Sequence, residues 1–223
     1  MESHNKVVVA VVTLALGLAV GGGVGYAVAG MNEMDGGQMA DVSTSTKAAD
    51  LRAALNNLES EHVDLASAAT RAGFDGDPSF EAAAGALSKN TDDISAAIAS
   101  VYGDDAGEQF KEIWASHIGF FVDYTVAAKA GDKAGMDKAV QNLNGYVEAI
   151  STFLSEANPN LPKEAVAQLV TEHVGLLKEA VDKHGAGDFA GSYDAQSRAR
   201  TQITNKIADT LSGAIVKQYP EKF

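Results

Sequence analysis

Three histidines recur at the same place in a repeated sequence pattern, and histidine side chains can hold metal ions. They are His62, His117 and His173, and successive members are 55 and 56 residues apart. Each is followed by an aliphatic residue and, fourteen residues after the histidine, by a Gly-Asp pair. Imidazole suits copper and zinc, and three histidines with one open position form a known coordination pattern. We therefore predict metal ligands at His62, His117 and His173.

The alternative is that the histidines are structural. His62 lies in line with Leu55, Leu58 and Leu65, at the spacing of the core-facing stripe of a helix. A histidine on an apolar face is usually a core residue with a hydrogen-bond partner. In that case duplication of an ancestral segment simply copied it. The protein would then be a non-catalytic structural or protein-interaction domain.

Three methionines bear on the identity of the metal. Met31, Met34 and Met39 fall within nine residues of a segment rich in Gly, Ser, Thr and Asp. Thioether sulfur is a soft ligand that favours Cu(I). Together with the imidazoles, this cluster favours copper, with zinc as the alternative.

The elements that position the histidines are predicted to be helices in three tandem repeats, over 47–103, 104–160 and 161–223. In each Gly-Asp pair the glycine can end one helix in the left-handed conformation, and the aspartate can cap the next. Each repeat therefore reads as a helical hairpin. The predicted helices span 48–72, 79–101, 106–130, 133–156, 163–184 and 189–218. Because such hairpins cannot bury their apolar faces alone, we expect an all-α domain over 47–223, a six-helix bundle.

The N-terminus indicates export. Residues 7–30 carry no charge and are long enough to span a bilayer, and the sequence Ala-Val-Ala at 27–29 would also serve as a signal-peptidase site. Residues 1–30 are thus a signal peptide or a hydrophobic helical membrane anchor, and 31–46 a flexible tether. Either alternative predicts an extracytoplasmic protein, secreted or held at the membrane by an uncleaved anchor.

Composition narrows the function classes. The formal net charge of −13 argues against a nucleic-acid partner, and the absence of cysteine excludes disulfides and thiolate metal sites. The apolar content comes mainly from Ala, Val and Leu, with only 7% aromatic residues, which favours close-packed helices. The chain contains no P-loop, nucleophile elbow or dinucleotide motif. Binding is therefore favoured over catalysis, with Lewis-acid catalysis by the metal as a third alternative.

Four stretches of the helical part are distinctive: EHVDLASAATRAGFDG, FEAAAGALSKNTDDISAAIASVYG, QFKEIWASHIGFFVDYTVAA and FLSEANPNL. In them the chain resembles a group of exported all-helical proteins of Gram-positive bacteria that are commonly labelled "copper amine oxidase". The resemblance covers roughly residues 48–223, and it implies export and a helical fold. It does not imply amine oxidation, because the chain has neither the Asn-Tyr dipeptide nor the His-x-His pair which that enzyme uses.

Overall fold

The computed structural model describes residues 46–223, and every regular element in that range is a helix. The predicted all-α fold is confirmed for this part of the chain. The predicted hydrophobic helix within 7–30, and the tether apart from Thr46, lie outside the described residues. The helices are α1 (Lys47–Asp75), α2 (Phe80–Tyr102), α3 (Asp104–Ala130), α4 (Lys133–Ala157), α5 (Lys163–Gly185), α6 (Phe189–Gln202) and α7 (Asp209–Gln218).

The sixth predicted helix, over 189–218, contains a change in helix type. A π-helical segment, Ile203–Ala208, joins α6 to α7 without a break in the helical rod. The predicted helix is therefore present, and only its hydrogen-bond pattern changes within this segment. The segment contains no glycine or proline that could have announced the change, and such short π-helical turns often occur at functional sites.

The glycine of each Gly-Asp pair has a positive φ, as expected, but only two of the three aspartates cap the following helix. The prediction was wrong for Asp77: α2 has Ser79 as its N-cap, and Asp77 accepts from the backbone N–H of that serine. Gly76 and Gly131 end α1 and α3 in the left-handed conformation, with φ values of 73° and 67°. The side chains of Asp132 and Asp188 each accept a hydrogen bond from a backbone N–H in the first turn of the helix that follows. These turns bring consecutive helices against one another, since the glycine can adopt a positive φ at little cost.

Helix α1 is the central element of the bundle. It packs against α2, α3, α5, α6 and α7. A side chain on its inner face therefore meets residues that are far away in the sequence. His62 is such a side chain, and it is fully buried.

The histidines separate two apolar clusters of the core. On α3, Trp114 belongs to the larger cluster and Phe121 to the smaller one, with His117 between them. On α5, Val170 and Leu177 flank His173 in the same way. These helices thus place their histidines between the two apolar clusters.

None of the helices between residues 46 and 223 is both long enough and apolar enough to cross a membrane.

Candidate metal centre

The structure brings the three repeat histidines together in one buried layer. The ring centroids of His62 and His117 are 5.3 Å apart, and those of His62 and His173 are 6.4 Å apart. All three side chains are buried, with 6% exposure or less. Three helices, α1, α3 and α5, therefore each contribute one imidazole to the same region.

Two of the histidines approach each other through the same ring atom. Nε2 of His62 lies 3.4 Å from Nε2 of His117. Two nitrogens bound at the usual zinc distance to one tetrahedral ion are about 3.3–3.4 Å apart. The pair is thus spaced as two ligands of one metal ion are.

The other ring nitrogen of His117 and of His173 is held by an acceptor. Nδ1 of His117 donates to the backbone carbonyl oxygen of Trp114, and Nδ1 of His173 donates to Oε1 of Gln202 at 3.1 Å. The amide of Gln202 is oriented by its own donation to the carbonyl oxygen of Leu169. Because carbonyl oxygens only accept, Nδ1 carries the proton and Nε2 keeps its lone pair in both rings. Metal-bound histidines are commonly oriented by such a second hydrogen bond.

His62 has an acceptor of the same kind close by. The amide nitrogen of Asn90 donates to the carbonyl oxygen of Leu58 and to Oε2 of Glu61, which leaves Asn90 Oδ1 as an unused acceptor. Nδ1 of His62 is also buried without a partner, and Asn90 acts on the ring as a hydrogen-bonding group that raises the pKa. The single proton of His62 has two positions open to it: Nδ1, the nitrogen without a partner, or Nε2, from which it is donated to Nε2 of His117. Only with the proton on Nδ1 does Nε2 keep a lone pair directed at His117.

The glutamates that directly precede two of the histidines do not point at the rings. Glu61 reaches Asn90 on α2, and Glu172 pairs with Lys206 at 2.8 Å. This agrees with their expected position about 100° around the helix, where they meet a neighbouring helix. Glu61 thus acts on the site only through Asn90.

Burial keeps all three imidazoles neutral. It is the main cause that lowers the pKa of His117 to about 3 and that of His173 to about 4. The pKa of His62 is lowered well below its ordinary value by burial first, and then by His117 and His173. Each ring therefore carries one proton at neutral pH and none is an imidazolium; with its proton on Nε2, His62 donates a hydrogen bond to Nε2 of His117. Nε2 of His173 is buried and has no hydrogen-bond partner.

A buried carboxyl group that the sequence analysis did not select lies one turn before His62. Glu59 is 2% exposed, its Oε2 has no hydrogen-bond partner, and burial raises its pKa to about 8. The Glu-x-x-His spacing of residues 59 and 62 was available in the sequence, and residues three apart share one helix face. Glu59 also adds to the raised pKa of Tyr146, so the two side chains are neighbours.

Aromatic rings enclose the histidine pair. The Trp114 ring centroid is 4.9 Å from those of both His62 and His117, and the Tyr146 ring stacks on His117 at 4.5 Å. Nε1 of Trp114 has no hydrogen-bond partner. Trp114 and Tyr146 thus give the two imidazoles aromatic neighbours of low polarity.

The third histidine does not complete a ligand set in this geometry. Within residues 46–223, no group of three or more histidine, aspartate or glutamate side chains is arranged so that it could hold a metal ion. His62 and His117 have the required spacing, whereas the His173 ring stands farther off. A third ligand therefore requires a side-chain movement, either of His173 on α5 or of Glu59 on α1.

Comparisons of the chain with protein-family models, with curated proteins and with solved structures found no match. The resemblance to exported helical proteins of Gram-positive bacteria accordingly stays a prediction.

Proposed function

We propose that this protein binds one transition-metal ion in the buried layer between α1, α3 and α5. His62 and His117 are the first two ligands, each through Nε2, and His173 is the third. The observation that carries the proposal is the 3.4 Å separation of two neutral, buried Nε2 atoms. With both protons on Nδ1, the two lone pairs face each other, and a bound cation would convert that repulsion into two ligand bonds.

The donor set favours copper or zinc. Imidazole nitrogen suits both ions, and copper comes first because the methionines at 31, 34 and 39 could supply soft sulfur during its transfer. Zinc would gain more from Glu59, whose carboxylate offers a harder oxygen ligand. Glu59 would give up its proton on binding, since a nearby cation favours the ionised form.

The chain organisation fits a handling role outside the cytoplasm. We propose that three tandem hairpins, each with its histidine on the first helix, form the binding domain. Residues 1–30 would direct export and, if retained, hold the domain at the membrane. The protein would then bind or transfer the ion at the cell surface, without catalysing a reaction.

The competing function is that of a structural or interaction domain whose histidines are only buried. Substitution separates the two. If the imidazoles serve no ion, replacing His62 by leucine removes a buried polar group with an incomplete set of hydrogen bonds, and the protein becomes as stable or more so. If they are ligands, the same change abolishes stabilisation by the metal.

The test uses the compact unit Ser43–Phe223, which omits the three methionines and His4. The melting temperature is measured after chelation and then with Cu(I), Cu(II) or Zn(II). Saturation at a hundredfold excess over Kd stabilises by about 2.7 kcal/mol, which corresponds to a rise of about 5–10 °C for a domain of this size. We expect the rise in the wild type and its absence in His62→Leu and His117→Leu.

His184→Leu is the matched control, because His184 lies outside the layer and pairs with Asp75 at 2.8 Å. It should keep the response to metal. A wild type that none of the three ions stabilises, together with an equally or more stable His62→Leu variant, would support the structural function instead.

A further inference from the structure

A long cavity of about 390 Å³ adjoins the histidine layer. It is bordered by α1 from His62 to the C-cap residue Gly76, fifteen residues that rise about 20 Å along the helix axis. His62 and His117 lie at one end, and the exposed turn at Asp77 and Pro78 lies at the other. The volume is within the range of small-molecule sites, and its length favours a linear occupant.

The wall of the cavity is mostly apolar, and most of its hydroxyl groups are already used. Thr70 donates to the carbonyl oxygen of Ala66, and Thr125 to that of Phe121, both at 2.8 Å. Ser192 donates to the carbonyl oxygen of Ala180. The apolar part of the wall includes Ala66, Ala69, Leu87, Phe121, Leu177 and Val181.

One wall hydroxyl has no partner. Ser67 is 3% exposed, and its Oγ makes no hydrogen bond. A buried hydroxyl without a partner costs free energy, and a ligand atom that hydrogen-bonds to it would recover that cost. The wall therefore fits a molecule that is apolar along its length and carries a single polar group.

The entrance is also apolar. In the described part of the chain, all four large hydrophobic side chains that are exposed border this cavity or contact its wall. Val122 and Val126 line it directly, while Phe189 packs on the wall residue His184 and Tyr193 stacks with the wall residue Arg71. Such a patch is typical of a binding site.

Charge disfavours an anionic occupant. At the outer end, Asp77 and Glu81 are balanced by Arg71 and by Lys129, whose Nζ lies 3.2 Å from the position that a Cβ would take on Gly76. Among the described residues that line the inner end there is no cationic side chain, and the histidines are neutral. A carboxylate placed at the inner end would therefore be buried without a cationic partner, whereas a neutral polar group would not carry that cost.

We propose that this cavity binds a neutral, linear, mainly apolar molecule with one hydroxyl or carbonyl group, such as a long-chain alcohol. Its polar group accepts from or donates to Ser67 Oγ, and its chain extends towards the apolar entrance. This goes beyond metal binding and does not depend on it.

Trp114 allows the proposal to be tested in the full-length chain. It is the only tryptophan, and its ring is 4.9 Å from those of His62 and His117 at the inner end of the cavity. A bromine atom carried beside the polar group of a ligand should therefore quench its fluorescence. The probes are 2-bromo-1-decanol, 1-bromodecane and 2-bromodecanoate, titrated in the presence of a chelator.

We expect saturable quenching by the alcohol, with at least tenfold weaker binding of the carboxylate. Ser67→Ala should weaken the alcohol about three- to tenfold, the worth of one hydrogen bond, and leave bromodecane unchanged. Ala66→Phe should abolish quenching by filling the cavity. Ala68→Phe is its matched control, because Ala68 is exposed on the same helix.

Three results would overturn the proposal: no saturable quenching in the wild type, equal quenching in Ala66→Phe and Ala68→Phe, or tighter binding of the carboxylate than of the alcohol. Circular dichroism confirms that each variant is folded. If Ala66→Phe is not folded, the Ser67→Ala variant provides the test. An unchanged affinity of this variant for the alcohol would contradict a hydrogen bond between the ligand and Ser67 Oγ.

Discussion

Nε2 of His62 and Nε2 of His117 face each other across 3.4 Å, although the two residues are 55 positions apart in the chain. The opposite nitrogen of His117 donates to the backbone carbonyl oxygen of Trp114, so the lone pair of its Nε2 is directed at His62. The position of the His62 proton decides the nature of the contact. On Nε2 it forms a hydrogen bond to His117, and on Nδ1 it leaves two facing lone pairs, which is the form that binds a metal ion.

The histidine layer should make the metal-free protein sensitive to acid. His173 has a pKa of about 4 when folded, against an ordinary value of about 6.5, so the unfolded chain binds more protons between these values. Its contribution to stability is complete above about pH 6.5 and is lost as the pH falls towards 4, by about 3 kcal/mol in all. Urea unfolding of chelated protein at pH 6.5 and pH 4 should show a loss about 3 kcal/mol smaller in His173→Leu than in the wild type. Equal losses in the two proteins would contradict the neutral, buried state of this ring.

Glu59 should make the metal-free protein less stable as the pH rises. Its pKa of about 8 when folded exceeds its ordinary value of 4.5, so its contribution is complete below 4.5 and is lost as the pH rises towards 8. Between pH 6.5 and 8 this amounts to about 2 kcal/mol. The free energy of unfolding of chelated wild type should fall by that amount, whereas Glu59→Gln should stay level over the same interval. A parallel fall in both proteins would mean that Glu59 is not the protonated group.

Gln202 should affect the metal without touching it. It holds Nδ1 of His173 at 3.1 Å, and removal of such an orienting partner typically lowers metal affinity about 10- to 100-fold. We expect this loss for Gln202→Ala in a competition titration with a chelator of known affinity. Thr204→Ala, two residues further along and only partly buried, is the control and should bind normally. Unchanged affinity in Gln202→Ala would indicate that His173 is not a ligand.

Two glycines of α3 test how closely α2 packs against α3, the helix that carries His117. A methyl group on Gly107 would come within 2.6 Å of Cβ of Ala99, whereas one on Gly119 would meet nothing within 4 Å. Gly107→Ala should therefore destabilise the protein by about 1–3 kcal/mol, and Gly119→Ala should stabilise it by up to about 1 kcal/mol through helix propensity. Chemical denaturation of the two variants side by side measures the difference. A neutral Gly107→Ala variant would show that α2 and α3 can move apart freely.

The sequence was sufficient to place the helices and the Gly-Asp turns, because each depends on residues a few positions apart. Gly131 and Asp132 act as their types predict. The distance between His62 and His117 was not predictable, since it depends on how α1 and α3 are rotated about their axes. Packing of side chains far apart in the chain sets that rotation.

The remaining features of the site differ in whether they could be predicted from the sequence. Glu59 could have been found from its Glu-x-x-His spacing, but its missing partner is a property of the folded core. The hydrogen bond between Gln202 and His173 depends on how α6 packs against α5, and no local sequence pattern predicts that packing. The cavity likewise depends on small residues such as Ala66 and Ala69 facing helices whose side chains do not fill the space.

The most direct test of the central claim is the X-ray absorption spectrum of the 43–223 unit after loading with copper or zinc and dialysis. We predict one retained ion per chain, with at least two imidazole nitrogens at about 2.0–2.1 Å. The double variant His62→Leu, His117→Leu should retain none, while His184→Leu should match the wild type. Failure of the wild type to retain an ion, or equal retention by the double variant, would contradict metal binding at the facing Nε2 atoms.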